Sequence, residues 1–183
     1  MTLMKAALPA HSRAQMVMMV LAGSGLIALS AQITLPMVPV PMTLQTLAIS
    51  LIGLAYGARL AAATVIAYLA EGAIGLPVFA NGAGGIAPLI GPTAGFLWGF
   101  VGMAWLTGWL VERGLDRGLA RLFLAALIPA ALLFVPGVVV LKLVLGMGWG
   151  AAIAAGATPF LAGMVVKAAL AALMIHGGWR AMR

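Results

Sequence analysis

Few side chains in this sequence could do chemistry, and one lysine stands out among them. The 183 residues include ten Lys and Arg, three Asp and Glu, two His and no Cys. Without Cys there are no disulfides, thiolate-bound metals or thiol nucleophiles. Lys167 lies deep inside the last apolar stretch, flanked by Val165, Val166, Ala168 and Ala169. An ammonium at the centre of a membrane-spanning helix costs about 3 kcal/mol on insertion scales, and such a group usually faces a cavity or a partner. Helical spacing puts Phe160, Gly163, Met164, Lys167, Leu170 and Met174 on one face, where Gly163 leaves room beside the ammonium. Thr158 and Pro159 read as the cap and first turn of that helix. The structural alternative for Lys167 is snorkelling or a pair with Glu71; its depth favours ligand binding.

Glu71 is expected near the outer end of the third apolar stretch, partly desolvated. It could neutralise Lys167 or Lys142, take up a proton, or touch a ligand, and a structural ion pair explains it equally well. Lys142 falls near the outer end of the fifth stretch, where its stem reaches the headgroups.

Two connections add polar groups. The segment 75–93 is long, apolar and Gly-rich. Its glycines, Gly84 and Gly85 among them, permit backbone angles that bring main-chain groups close to a ligand. Asn81 supplies the donors and acceptor that an amide- or ureido-like ligand requires. No Gly-Lys-Ser/Thr follows, so this is not a phosphate loop. The earlier segment, Pro36-Met-Val-Pro-Val-Pro-Met-Thr-Leu-Gln-Thr-Leu47, offers Thr43, Gln45 and Thr46. A span broken by Pro or Gly points to a binding site, although packing and capping explain Thr43 equally well.

Catalysis finds little support. His11 and His176 fall at the expected cytoplasmic boundary, whereas Ser24 and Ser30 lie deeper, so a serine–histidine pair at one depth is hard to build. Glu112 and Asp116 sit on a charged turn and form no buried acid–base pair. No spacing suits a metal, and no cofactor is expected.

The elements that must position these residues are membrane helices. The chain is 64% hydrophobic and 7% charged, with mean hydropathy +1.19, too little polarity to cover a water-soluble surface. About 20 apolar residues cross the hydrocarbon core. On that measure six spans are expected, at residues 14–33, 42–56, 60–76, 93–111, 122–145 and 151–176. The result is an all-α integral membrane protein with one transmembrane domain over residues 1–183. The first stretch follows Lys5 and Arg13, and Ala28-Leu29-Ser30 imitates a cleavage site, but a retained first helix is expected.

With six spans, Lys5, Arg13, Arg59, Arg113, Arg117, Arg121, Arg180 and Arg183 share one side. The loops at 34–41, 77–92 and 146–158 carry no charge. This asymmetry places both termini in the cytoplasm. The net charge of +7 is thus an orientation signal, and no nucleic-acid partner is needed. Small-residue spacings at Gly53/Gly57, Gly95/Gly99 and Ser24/Ala28 suggest close helix packing.

Taken in order, Val40-Pro-Met-Thr-Leu-Gln-Thr-Leu47, Gly75-Leu-Pro-Val-Phe79, Gly82-Ala-Gly-Gly85, Gly91-Pro-Thr93 and Pro159-Phe-Leu-Ala-Gly163 with Lys167 resemble the BioY family. Its members are the biotin-binding components of energy-coupling-factor transporters, and the resemblance covers almost the whole chain. It implies a six-helix fold with a vitamin pocket near the outer side, lidded by the first and third connections counted along the six helices, both on the outer side. It also implies biotin as ligand, with a transmembrane coupling protein and two cytoplasmic ATPases as partners, or a homo-oligomer acting without them. In the family's sixth helix the pattern Pro-Phe-x-x-Gly-Asp-x-x-Lys is usual; here Lys167 matches and Met164 stands where the Asp would be. A component for another small vitamin, or a relative that binds none, is therefore the nearest alternative. An intramembrane hydrolase using Ser24 and a purely structural membrane subunit are the more distant ones.

Overall fold

The computed structural model describes Met4 and residues 12–181. The expected roles of Lys5, His11 and Arg183 fall outside the described residues. Helix α1, Arg13–Gln32, begins on a capping box in which the Ser12 hydroxyl accepts from the Gln15 N–H and the Gln15 side chain accepts from the Ser12 N–H. These two bonds satisfy otherwise orphaned donors of the first turn.

The chain leaves α1 extended. Strand β1, Thr34–Leu35, pairs antiparallel with β2, Met42–Thr43, in the register Thr34–Thr43 and Leu35–Met42. Between them lie Pro36, Pro39 and Pro41, which cannot continue a helix. Helix α2, Gln45–Tyr56, therefore starts later than the expected residue 42. Gly57 turns the chain at φ 85° into α3, Ala58–Ala73. The positive φ is cheap only for glycine. The close approach is equally demanding, since a Cβ on Gly108 of the facing helix would lie 2.3 Å from Gly57.

After a loop with a 3-10 turn at Ala80–Gly82 and a short helix α4, Ala87–Ile90, come α5, Ala94–Leu110, and a π turn, Val111–Leu115. The expected fifth span divides into α6, Leu119–Leu132, and α7, Phe134–Leu145. Pro136 lies just past the break and cannot donate to the carbonyl of Leu132, which would continue the ladder. The expected sixth span divides into α8, Trp149–Gly156, a 3-10 turn at Thr158–Phe160, and α9, Leu161–Ala181. Pro159 sits in the first turn as expected, but Thr158 does not cap it. Its hydroxyl donates back to the Ile153 carbonyl at 3.3 Å and closes the end of α8.

Among the described residues four stretches are long and apolar enough to cross a membrane: Arg13–Gln32, Ala94–Leu115, Leu119–Leu145 and Trp149–Ala181. Helices α2 and α3 have 12 and 16 residues, lengths of about 18 and 24 Å against a core of about 30 Å.

Packing forms two buried clusters. One gathers Ile27, Ile49, Val65, Tyr68, Phe79, Phe100 and Leu141. The other holds Ala125 and Ala126 of α6 against Ala168, Ala171 and Ala172 of α9, with Leu54, Leu122 and Ile175 around them. Small faces let these backbones approach closely. Gly95 and Gly99 serve the same end between α5 and α7, where added Cβ atoms would meet the Pro136 carbonyl at 2.2 Å and the Leu133 side chain at 2.7 Å. Many large apolar side chains point outward, including Val17, Leu29, Ile66, Leu143 and Met174. Together with the apolar helices, they identify a membrane protein.

Candidate binding site

A cavity of about 280 Å³ opens where β2, the loop after α3, and helices α2, α5 and α9 converge. Its apolar wall is largely phenylalanine: Phe79 from the loop, Phe96 and Phe100 from α5, Phe134 from α7 and Phe160 before α9. Phe134 and Phe160 are tilted at 41° with centroids 6.4 Å apart. Polar groups come from Thr43, Gln45, Thr46, Ser50, Asn81 and Thr93. Lys167 is the one charged side chain among the described lining residues.

Four of these groups, Lys167, Thr43, Gln45 and Asn81, are held by neighbours. The half-buried Lys167 Nζ donates to the Thr43 carbonyl at 2.5 Å. The Thr43 hydroxyl donates to Gln45 Oε1 at 2.8 Å, and Gln45 Nε2 donates to the Tyr68 hydroxyl at 2.7 Å. Tyr68 then donates to the Val78 carbonyl at 3.1 Å. Gln45 and Tyr68 are buried, so their polar atoms need partners, and this chain supplies them. On the exposed side the Thr34 hydroxyl donates to Asn81 Oδ1 at 3.0 Å. Asn81 has φ 60° and ψ 29°, a left-handed conformation that Asn tolerates better than most residues.

Five of the residues singled out from sequence meet at this cavity: Lys167, Met164, Asn81, Thr43 and Gln45. Three do not line it. Glu71 faces the first helix and accepts a hydrogen bond from Ser24 at 2.7 Å. Gly85 donates its N–H to the Gly72 carbonyl at 2.7 Å, and a Cβ on Gly84 would lie 2.5 Å from the Leu76 carbonyl. These glycines dock the loop on the end of α3 instead of opening it to a ligand. The expected face of α9 also ends early. Phe160, Met164 and Lys167 reach the cavity, while Leu170 and Met174 are exposed one and two turns farther along.

Lys142 lies in the last turn of α7, its Nζ 5.1 Å from the centre of the Trp149 ring, a cation–π contact. Of the uncharged connections, those at 34–41 and 77–92, the first and third along the helices, contribute lining residues, and the one at 146–158 folds into α8 and contributes none. Sequence reasoning missed Tyr68, Ser50 and, Phe160 apart, the phenylalanine wall. Phe96 and Phe100 do share a face at four-residue spacing, a signal indistinguishable from ordinary core packing. Among the described residues no group of three or more His, Asp and Glu could hold a metal.

Comparison with known proteins follows this geometry. A sequence model described as the BioY family matches residues 4–183. The biotin transporter BioY of Rhizobium etli is 41% identical over 149 residues, covering 78% of this chain and 79% of its own. The biotin transporter BioY of Thermotoga maritima is 34% identical over 151 residues, covering 82% of this chain and 88% of its own. Among solved structures, the 2.1 Å crystal structure of the S-component for biotin from an ECF-type ABC transporter superposes with a TM-score of 0.79. It covers 93% of this chain and 95% of its own at 22% sequence identity, a likeness of fold.

Proposed function

The chain belongs to the BioY family, and from that premise we propose that it captures biotin in the membrane as the substrate-binding component of an energy-coupling-factor transporter. The observation that carries this reading is the cavity itself: a phenylalanine wall with hydrogen-bonding groups and one ammonium. Its volume, about 280 Å³, lies near the lower end for small-molecule pockets, roughly 300 Å³. An apolar ring and chain with polar ends suits such a site. Lys167 and Asn81 hold the polar ends, Thr43 and Gln45 shape the floor, and Met164 lies against the ligand. Glu71, Gly84 and Gly85 act from behind the wall. The protein binds and releases, and performs no reaction of its own.

Residues 1–183 form one transmembrane unit that crosses the bacterial cytoplasmic membrane six times, with both termini cytoplasmic. The uncharged connections at 34–41, 77–92 and 146–158, set against Arg59, Arg113, Arg117 and Arg121 in the others, support this orientation. Energy comes from partners, a transmembrane coupling protein and two cytoplasmic ATPases, because this sequence carries no Gly-Lys-Ser/Thr phosphate loop. A homo-oligomer working without them is the alternative assembly.

A second reading, capture of another small vitamin, is favoured by Met164. That thioether lines the cavity where the family pattern has a carboxylate, so the described lining has a cation and no anion. Equilibrium binding of radiolabelled biotin to the purified protein in lipid, beside Met164→Asp, decides between them. Saturable binding by the native chain is the expected result. Binding by the variant alone would transfer the site to a different ligand, and binding by neither would overturn the biotin reading.

A further inference from the structure

Gln32, the last residue of α1, lies outside the cavity, yet its side chain is tied to one of the cavity's walls. Gln32 Nε2 donates to the Phe79 carbonyl at 3.1 Å and to the Ala28 carbonyl at 3.2 Å. Gln32 Oε1 accepts from the Gly82 N–H at 3.0 Å. The amide therefore spends both donors and its acceptor, and two of the three bonds grip the 3-10 turn at Ala80–Gly82 from either end.

That turn and its flanks supply most of the lining that the 74–93 connection contributes, since Phe79, Ala80, Asn81 and Ala83 all line the cavity. It is closed internally by the Phe79 N–H on the Ala83 carbonyl at 2.9 Å and the Ala83 N–H on the Ala80 carbonyl at 3.3 Å. On its buried side Tyr68 holds the Val78 carbonyl, and the Phe79 ring meets the Tyr68 ring edge-on at 84° with centroids 5.4 Å apart. Gln32 and the Thr34–Asn81 contact are its holders on the exposed side. The turn is thus gripped from within by a buried tyrosine and from without by the Gln32 amide and the Thr34–Asn81 contact. The exposed side is the weaker of the two, because water competes for those bonds.

We infer that Gln32 is a positioning residue of the ligand site: through its bonds to Phe79 and Gly82 it fixes the 79–83 turn as a cavity wall and so sets how slowly ligand leaves. The statement about ligand rests on the biotin reading; the statement about the turn does not. The test therefore has two arms, run on the full-length protein in lipid nanodiscs with Gln32→Ala and Gln32→Glu. The first arm is amide hydrogen exchange without ligand. Peptides spanning 77–86 should exchange about fivefold faster or more in Gln32→Ala, as expected for loss of the bonds holding this turn, while peptides from α9 stay unchanged. The second arm is dissociation of radiolabelled biotin, which should quicken by roughly threefold to tenfold, the effect of one or two exposed hydrogen bonds.

Gln32→Glu keeps the acceptor for Gly82 and loses the donor to Phe79, so it should fall between native and Gln32→Ala in both arms. It also carries both measurements if Gln32→Ala does not fold. Unchanged exchange at 77–86 overturns the inference outright. Faster exchange with unchanged biotin dissociation overturns it too, because the turn would then not retain ligand. If the native protein binds no biotin, the functional reading fails, and the exchange arm alone decides for or against Gln32.

Discussion

Lys167 and Thr43 are joined by a hydrogen bond from the ammonium to the main-chain carbonyl, across 124 positions of sequence. It is the first link of a chain that continues through Thr43 and Gln45 to Tyr68 and ends on the carbonyl of Val78, one residue before the wall residue Phe79. The cavity's cation is thus connected through side chains of three elements to the loop on the opposite side.

From this follows the first prediction. Replacing Lys167 by Ala removes a charge-assisted donor, an interaction worth about 1.5–3 kcal/mol. Biotin affinity should fall roughly tenfold to a hundredfold, as read by equilibrium radioligand binding. Membrane insertion should hold or improve, since the change removes a charge from the span. Native affinity in the variant would remove Lys167 from the site.

The Tyr68 hydroxyl is the next test, because it accepts from Gln45 and donates to Val78 while fully buried. In Tyr68→Phe both partners lose a buried counterpart, a cost of about 1–3 kcal/mol. Thermal unfolding in detergent should move to lower temperature. Adding Gln45→Leu should cost less than the sum of the two single changes, because the double variant no longer strands the amide. Strict additivity would mean that the two side chains do not work as one unit.

The outline of this arrangement was legible in the sequence, for reasons tied to particular residues. Lys167 declared itself because a cation in an apolar helix needs an explanation, and Asn81 because polar groups are scarce in its loop. Lys167, Met164, Asn81, Thr43 and Gln45 meet at the cavity. Glu71, Gly84 and Gly85 do not, and the cause is local: Ser24 lies one helix away to bond Glu71, and the glycines pack on the end of α3. Neither contact leaves a periodic trace. The breaks at Leu133 and Ala157 were hidden because apolar composition continues through them, so a rule based on hydropathy reads one span where the backbone makes two helices. Gln32 escaped notice because its role depends on a turn 47 positions away.

Ser24 and Glu71 give a prediction in which stability changes and ligand binding does not. The Leu21 carbonyl, 3.0 Å from the Ser24 oxygen, shares that hydroxyl's single hydrogen with Glu71, and Ser24 is buried against α3. Ser24→Ala takes a donor from the Glu71 carboxylate, so stability should drop by about 1–3 kcal/mol. Biotin binding should stay at the native level, because neither residue lines the cavity. A loss of binding without a loss of stability would reassign this pair to the ligand.

The crossing of α2 and α3 can be decided with thiols, since the sequence has no Cys of its own. Val38 and Ile86 are exposed in the connections flanking these helices, and Arg59 is exposed at the turn between them. If both helices cross, Val38→Cys and Ile86→Cys react with a membrane-impermeant maleimide on intact cells, and Arg59→Cys reacts only after permeabilisation. Arg117→Cys, in the charged turn after α5, should behave like Arg59→Cys. The short lengths of α2 and α3 make the opposite outcome meaningful: a re-entrant pair would leave Arg59 on the same side as Val38 and Ile86. Labelling of Arg59→Cys on intact cells would therefore replace six crossings by four, and the charge asymmetry would have to be explained by the remaining arginines alone.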